Sequence, residues 1–411
     1  FYSNLLITSN LYFIALANFV KMDMLFSSFI LISFIFFHKY YAENSYKYLY
    51  LAFFLAGIAL MVKGLLGLIF PLISFITFII IKKRFNLILT IHFFLALLIS
   101  LLPTIIWIYL LIQYNGFDYV YNSIFYQQTI RRAVDAFHSK KPFYFYLIIL
   151  PLIWMPISLI LFLRLKNIKN DILDFTRTND KYLYTFIVFI VSFIILSLIS
   201  SKFPNYLLPI FPSFAMFLYF LLKRMNNKII WYLISLTYFI ISIALYILPY
   251  IEKISPFLKD VRNYQIIPLV SLIISITLTS YPYKNDIKKS IKIYCIMILL
   301  FANSLNLIIV PQISHNFSPK ILGEALKGYA EIGFTPISFN TYHGTFSFYA
   351  KRTVLEVRDF EELTNISKNK KVVIAISEKN WNKWKDKPSN LIIKKKVWLN
   401  NKFYLLIMTA D

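Results

Sequence analysis

The sequence predicts a polytopic α-helical membrane protein that carries a small α/β domain at its C-terminal end. Three observations lead there. Hydrophobic residues make up 59% of the 411 and aromatic ones 19%, against 15% charged, and the mean hydropathy is +0.64; a soluble domain is roughly half apolar and about one quarter charged. Apolar runs of bilayer-crossing length recur from the first residues to about position 310. Beyond that point the texture changes to short β-branched or aromatic runs separated by polar spacers.

A helix needs roughly 17–25 apolar residues to cross the hydrocarbon of a bilayer. Runs of that kind, some of them short, give about eleven spans. They lie at 4–18, 22–40, 47–62, 64–81, 88–112, 143–163, 182–200, 204–222, 229–250, 265–282 and 291–310. Orientation follows from the unequal loading of Lys and Arg in the connections, the richer side facing the cytoplasm. One set holds Lys39, Lys47, Lys82, Lys83, Arg84, Arg164, Lys166, Lys169, Arg177, Lys181, Lys223, Arg224, Lys228, Lys284, Lys288 and Lys289. The poorer set holds Lys21, Lys63, Arg131, Arg132, Lys140, Lys141, Lys202, Lys253, Lys259 and Arg262. This places Lys21, Lys63, the loop 113–142, Lys202 and everything after about residue 311 at the outer face. The domains are accordingly 1–310, a multi-span membrane part, and 311–411, an α/β part.

Within 311–411, residues 319–332 have the pattern of a short amphipathic helix. Residues 334–339, 353–357, 371–377, 391–397 and 402–408 have that of strands. The segment contains neither a Gly-rich phosphate loop nor a paired-acid motif, and no inverted repeat of the transporter kind is visible along the chain. The formal charge of +24 raises nucleic acid as a partner, but the cations sit in short loops rather than in a basic stripe with interleaved aromatics. They belong to topology and to anionic lipid. Cys295, the single cysteine, lies in an apolar run, so the chain by itself forms neither a disulfide framework nor a cysteine metal site. The chain opens on Phe1 with no charged signal region and cleavage site behind it, and reads as the continuation of something longer.

Four polar stretches fall at the outer face. In Ser200-Ser201-Lys202-Phe203-Pro204-Asn205-Tyr206-Leu207-Leu208-Pro209-Ile210-Phe211-Pro212 a lysine, a tyrosine and three prolines separate two apolar runs. An ionisable group there either lines a wet cavity or snorkels as an interfacial anchor. Lys202 and Tyr206, four apart, point the same way if they share a helical turn. Lys21 and Asp23 lie in a second turn, as a local ion pair or as an Asp complementing a helix N-terminus. In Lys63-Gly64-Leu65-Leu66-Gly67-Leu68-Ile69-Phe70-Pro71 the glycines permit a tight re-entry or close helix packing, with Lys63 snorkelling or meeting a lipid phosphate. The loop 125–146 carries Arg131, Arg132, His138, Lys140 and Lys141, which either hold anionic headgroups or supply a bidentate phosphate clamp.

The wording of these stretches resembles that of the bacterial glycosyltransferases related to protein mannosyltransferases, the family that includes the lipid A aminoarabinose transferase. Lys202 to Pro212 is similar to the family's Lys-x-Pro-x-Tyr-x-Leu-Pro-x-x-Pro. Lys21-x-Asp23 looks like its (Arg/Lys)-x-Asp, and Lys63 to Pro71 like its Lys-Gly-Pro-x-Gly-x-x-x-Pro with Leu65 replacing the proline. His138 to Tyr146 resembles the close of its long loop. The resemblance covers nearly the whole chain and implies the C-type glycosyltransferase fold, a polyprenyl-phosphate-linked sugar as donor, and a glycolipid or protein acceptor in the lipid bilayer. It implies donor-phosphate binding by Lys63, Arg131, Arg132, Lys202 and Tyr206. Lys21, Asp23, His138 and Lys141 belong with them at the outer face. No cofactor is required; His138, a lone histidine, is a weak candidate for orienting the sugar or holding a divalent ion. The family's catalytic carboxylate belongs to a loop that would precede Phe1, and Asp23 is a weak substitute for it. A protein O-mannosyltransferase-like enzyme, a transporter or flippase, and a remnant without its base are the alternatives.

Overall fold

In a computed structural model of the chain, residues 1–19, 21–121, 141–225, 228–251, 258, 261–280, 286–341, 344–399 and 402–409 are described. They form two compact units, Phe1–Ile243 with Leu269–Ala302, and Ala244–Pro268 with Asn303–Asp411.

The first unit is helical. Its elements are α1 (Tyr2–Thr8), α2 (Leu11–Asn18), α3 (Met22–Glu43), α4 (Tyr46–Lys63), α5 (Leu66–Lys82), α6 (Ile91–Asn115), α7 (Phe145–Ile153), α8 (Leu159–Leu163), α9 (Ile168–Thr178) and α10 (Asp180–Leu198). A 3-10 turn over Pro204–Ile210 leads into α11 (Phe211–Met225), followed by α12 (Ile229–Ile247), α13 (Ile266–Ser280) and α14 (Ile287–Ser304). Among the described residues seven helical segments are long and apolar enough to cross a membrane, and Leu66–Lys82 and Ile266–Ser280 are shorter apolar helices. The protein is a multi-pass membrane protein.

The two remaining runs, 4–18 and 143–163, are broken helices rather than continuous ones. Asn10 is extended at φ −71° and ψ 123° and caps α2 by accepting from the Phe13 N–H at 2.9 Å. Its side-chain amide donates to the Ile153 carbonyl at 3.1 Å, at the break between α7 and α8. In hydrocarbon a freed backbone group must find a partner inside the protein, and here one break supplies the other. Trp154 fills the same break, with ring centroids 5.1 Å from Phe211 and 5.6 Å from Phe214.

Close approach of backbones holds α4 to its neighbours. Gly64 turns the chain at φ +78°, which L side chains rarely adopt, and a Cβ at Gly67 would collide with the Ala59 backbone. A Cβ at Gly57 would likewise strike the Ser100 carbonyl of α6. The Ser33 hydroxyl donates across to the Ala52 carbonyl at 2.8 Å, tying α3 to α4.

Within the second unit, the amphipathic helix α15 (Lys320–Glu331) precedes a five-stranded sheet. Its strands are β1 (Thr335–Phe339), β2 (Leu355–Val357), β3 (Val372–Ser377), β4 (Leu391–Leu399) and β5 (Lys402–Thr409), in the order β2-β1-β3-β5-β4. β1 lies parallel to β2 and β3, with α16 (Phe360–Asn369) in the crossover from β2 to β3, while β3–β5 and β4–β5 are antiparallel. β3 is buried on both faces, as a strand reading Val-Val-Ile-Ala-Ile requires. One face packs on Leu322 and Leu326 of α15, the other on Leu363 and Trp384. These elements match the sequence pattern because strand alternation and helical periodicity are local signals.

Candidate functional site

Of the poorer Lys/Arg set, Lys21, Lys63, Lys141 and Lys202 lie where α3 begins, where α4 and α10 end and where the chain enters α7. α3 starts at Met22 with Lys21 extended at its N-cap (φ −124°, ψ 141°), so Lys21 and Asp23 do not face each other. Asp23, 6% exposed, occupies the first turn, where the partial positive charge of the helix end favours a carboxylate. Of the two sequence alternatives, the Asp at a helix N-terminus is the one the structure has, and no Lys21–Asp23 ion pair is present. Asp23 is instead bonded to the Lys63 ammonium at the end of α4, and the Lys21 ammonium lies 5.8 Å from the Phe19 ring centroid.

Lys63 therefore turns inward rather than snorkelling. Its Nζ sits 3.9 Å from the centroid of the Tyr206 ring and 5.4 Å from that of Phe26. An ammonium that keeps some exposure over an aromatic face gains roughly 0.5–1 kcal/mol. The carboxylate and the rings together thus offset the burial of the cation.

Lys202 and Tyr206 do not share a helical turn. The 3-10 turn opens at Pro204, and Phe203 before it is extended at φ −128° and ψ 143°, as a residue ahead of proline prefers. Lys202 lies upstream of that turn, 3% exposed, and its Nζ donates to the carbonyls of Lys141, at 3.4 Å, and of Ile199. The Lys141 N–H donates to the Ser200 carbonyl at 3.2 Å, and the Tyr146 hydroxyl to the Phe203 carbonyl at 3.2 Å. The entry to α7 is thereby fastened to the segment that carries Lys202 and Tyr206.

A cavity of about 350 Å³ opens beside this fastening, lined by Lys141, Phe143, Ser197, Leu198, Ser200 and Lys202. Sequence reasoning passed over Ser197, one residue in a run of apolar ones. The signal was the closeness of Ser197, Ser200 and Ser201 to Lys202 at the end of a span. Another opening of about 350 Å³, lined by Tyr50, Leu95, Leu98, Ile99 and Leu102, has no charged group in its wall. Arg131, Arg132 and His138 lie outside the described residues.

The opposite ends of these helices carry a different set of charges. Asp180 at the start of α10 accepts from Lys82 and from the Tyr41 hydroxyl, each at 2.6 Å. The fully buried Asp171 accepts from Arg164 Nε at 2.8 Å and Nη2 at 2.5 Å and lies 3.3 Å from Arg224 Nε. All three cations come from the Lys/Arg-rich set, and they lie at the ends of the helices opposite to Lys63 and Lys202.

No protein-family model and no curated protein sequence matches the chain. Among solved structures, the chain is similar to ArnT from Cupriavidus metallidurans in the apo state, with a TM-score of 0.74, 15% identity, and coverage of 99% of this chain and 78% of that one. It is also similar to the same protein bound to undecaprenyl phosphate, with a TM-score of 0.70, 15% identity and the same coverage. The chain shares the fold of that protein over 99% of its own length.

Proposed function

We propose that the protein is a membrane glycosyltransferase that moves a sugar from a polyprenyl-phosphate carrier to lipid A or another envelope glycolipid at the outer face of the bacterial inner membrane. The observation that carries the reading is the gathering of Lys63, Tyr206 and the buried Lys202 at one end of the helices, in a fold shared with an ArnT whose structure holds undecaprenyl phosphate. An oxygen of the acceptor attacks the anomeric carbon, the bond from that carbon to the phosphate oxygen breaks, and polyprenyl phosphate leaves with the electron pair. Cations at the site stabilise the charge arriving on that phosphate. Arg131 and Arg132 add to them as a clamp, and His138 orients the sugar. The leaving group already carries its phosphate, so the step calls for no nucleotide. The acceptor's proton goes to a carboxylate acting as general base. Asp23, bonded to Lys63, serves position rather than proton transfer. The C-terminal unit lies on the periplasmic side in this reading.

The test is transfer of radiolabelled sugar from polyprenyl-phosphate donors to envelope lipids in membranes that contain the protein, compared with membranes that lack it. Label in glycolipid supports the reading. Label in protein instead indicates a protein O-mannosyltransferase-like enzyme, and no label in either indicates a transporter, a flippase or a remnant.

A further inference from the structure

The two edges of the C-terminal sheet differ in charge. The edge strand β2 lies in the stretch 351–362, which holds three cations and four carboxylates, whereas residues 378–402, which contain the edge strand β4, hold eight lysines, no arginine and two carboxylates, Glu378 and Asp386. β4 pairs on one side only, with β5, and its residues from Ile392 to Lys396 are all exposed. Lys396 is taken up by Glu378 at 2.5 Å and by the Phe403 ring, whose centroid lies 4.3 Å from its Nζ. Lys394, Lys395 and Lys402 are exposed and pair with no carboxylate among the described residues.

Three features narrow what such an edge can meet. The register of β4 on β5 shifts between Ile393 and Lys395, so Lys394 is an extra residue in the strand. Bulges and lysines on an edge oppose pairing with a further strand, which argues against a second copy or an extended peptide added to the sheet. The cations are all lysines, hydrated point charges, where a single bound phosphate is best gripped by the planar fork of an arginine; lysines in a row suit a diffuse negative surface. Apolar side chains stand beside them: Ile392, Ile393 and Phe403 are 45%, 47% and 41% exposed, and the Phe403 ring lies edge-on to Trp398 with centroids 4.7 Å apart. Lys395 stands opposite Leu406 and Lys396 opposite Leu405, successive positions that project to the two faces of the sheet, so the edge presents cations on both. Branched and aromatic side chains next to ammonium groups match the boundary between lipid headgroups and hydrocarbon, where apolar groups enter and cations stay among phosphates.

We propose that the β4 edge rests on the surface of a bilayer that contains anionic phospholipid, with Lys394, Lys395 and Lys402 among the headgroups and Ile392, Ile393 and Phe403 at the hydrocarbon boundary. The contact uses no residue of the Lys63 and Lys202 region and stands independently of the transferase reading. Its strength follows the charge of the lipid, so a neutral bilayer releases the edge and an anionic one holds it.

The experiment places a nitroxide spin label on the full chain at Ile392→Cys, or at Leu355→Cys on the β2 edge as a control, with the buried Cys295 replaced by Ala. The chain is held in nanodiscs of phosphatidylcholine alone or mixed with phosphatidylglycerol, and collisions of the label with oxygen and with a water-soluble nickel chelate are measured. In the mixed nanodiscs the label at position 392 is expected to lose collisions with the chelate and gain them with oxygen, while the label at 355 is unchanged. Each lysine near an anionic surface is worth roughly fivefold in partition, so Lys394→Gln, Lys395→Gln and Lys402→Gln together should lower the ratio of protected to free label about a hundredfold. The three side chains are exposed and unpaired, so their replacement leaves the fold intact. Equal exposure of the 392 label in both lipids, or protection that survives the triple replacement, overturns the proposal. Equal protection at 355 overturns it as well, because the contact would then not belong to the β4 edge. Dipolar broadening between 392 labels of two chains in either lipid shows the edge pairing with a second copy and overturns it too.

Discussion

Replacing Lys63 by Met removes the ammonium but keeps most of the side chain's volume, which makes it the sharpest probe of the Asp23–Lys63–Tyr206 contact. The partners are 17% and 9% exposed at their side chains, so Asp23 is left as a carboxylate with little water and no cation. Removing one member of a buried pair costs about 3–5 kcal/mol. The residual exposure argues for the lower end, and loss of the ring contact adds roughly 0.5–1 kcal/mol, so about 4 kcal/mol is expected. Asp23→Asn leaves the ammonium over the Tyr206 ring and costs less, about 2 kcal/mol. The double variant buries no lone charge, so its cost falls below the sum of the two by about 2 kcal/mol. The assay is unfolding of the full chain in mixed micelles by SDS titration, followed by intrinsic tryptophan fluorescence. Single variants within about 0.5 kcal/mol of wild type, with additive effects, would show that the pair is solvated and that Lys63 does not hold Tyr206.

Further outcomes follow from the same geometry. Gly67→Ala puts a methyl group against the Ala59 backbone and is expected to cost about 1–3 kcal/mol by overpacking, read as a lower melting temperature in detergent. Asp171→Asn strips the counter-charge from Arg164 and Arg224 around a fully buried group; a loss of about 3 kcal/mol or more should appear as faster proteolysis of the connection between α8 and α10. Lys396→Ala breaks a pair with Glu378 whose side chains are 46% and 38% exposed, and a change of under about 1 kcal/mol is expected in the same melting assay. Tyr206→Leu removes the ring beneath Lys63 and should lose about 1 kcal/mol in the SDS titration.

The amino-acid sequence by itself determined the class of this protein. Bilayer thickness imposes a length on apolar runs, and a sheet imposes alternation on its strands, so both are written in consecutive residues. For that reason the unbroken spans from Met22 onward and the strands β1 to β5 were legible. Gly64 and Gly67 also announced a tight hairpin, since few other residues tolerate that backbone or that approach. Only the tertiary structure decided which charges meet. Lys63 chose Asp23, 40 residues away, over solvent, and Asp23 did not take Lys21, because helix packing rather than spacing in the chain brings those groups together. Pro204 kept Lys202 out of the turn that holds Tyr206, so two residues four apart took different partners. The broken spans were hidden in hydropathy for the same reason: the Asn10 amide that makes the break tolerable is satisfied by the Ile153 carbonyl of another span. Hydrophobicity acts on each segment separately and can be read locally, whereas a hydrogen bond or an ion pair exists only once two distant segments have been packed against each other.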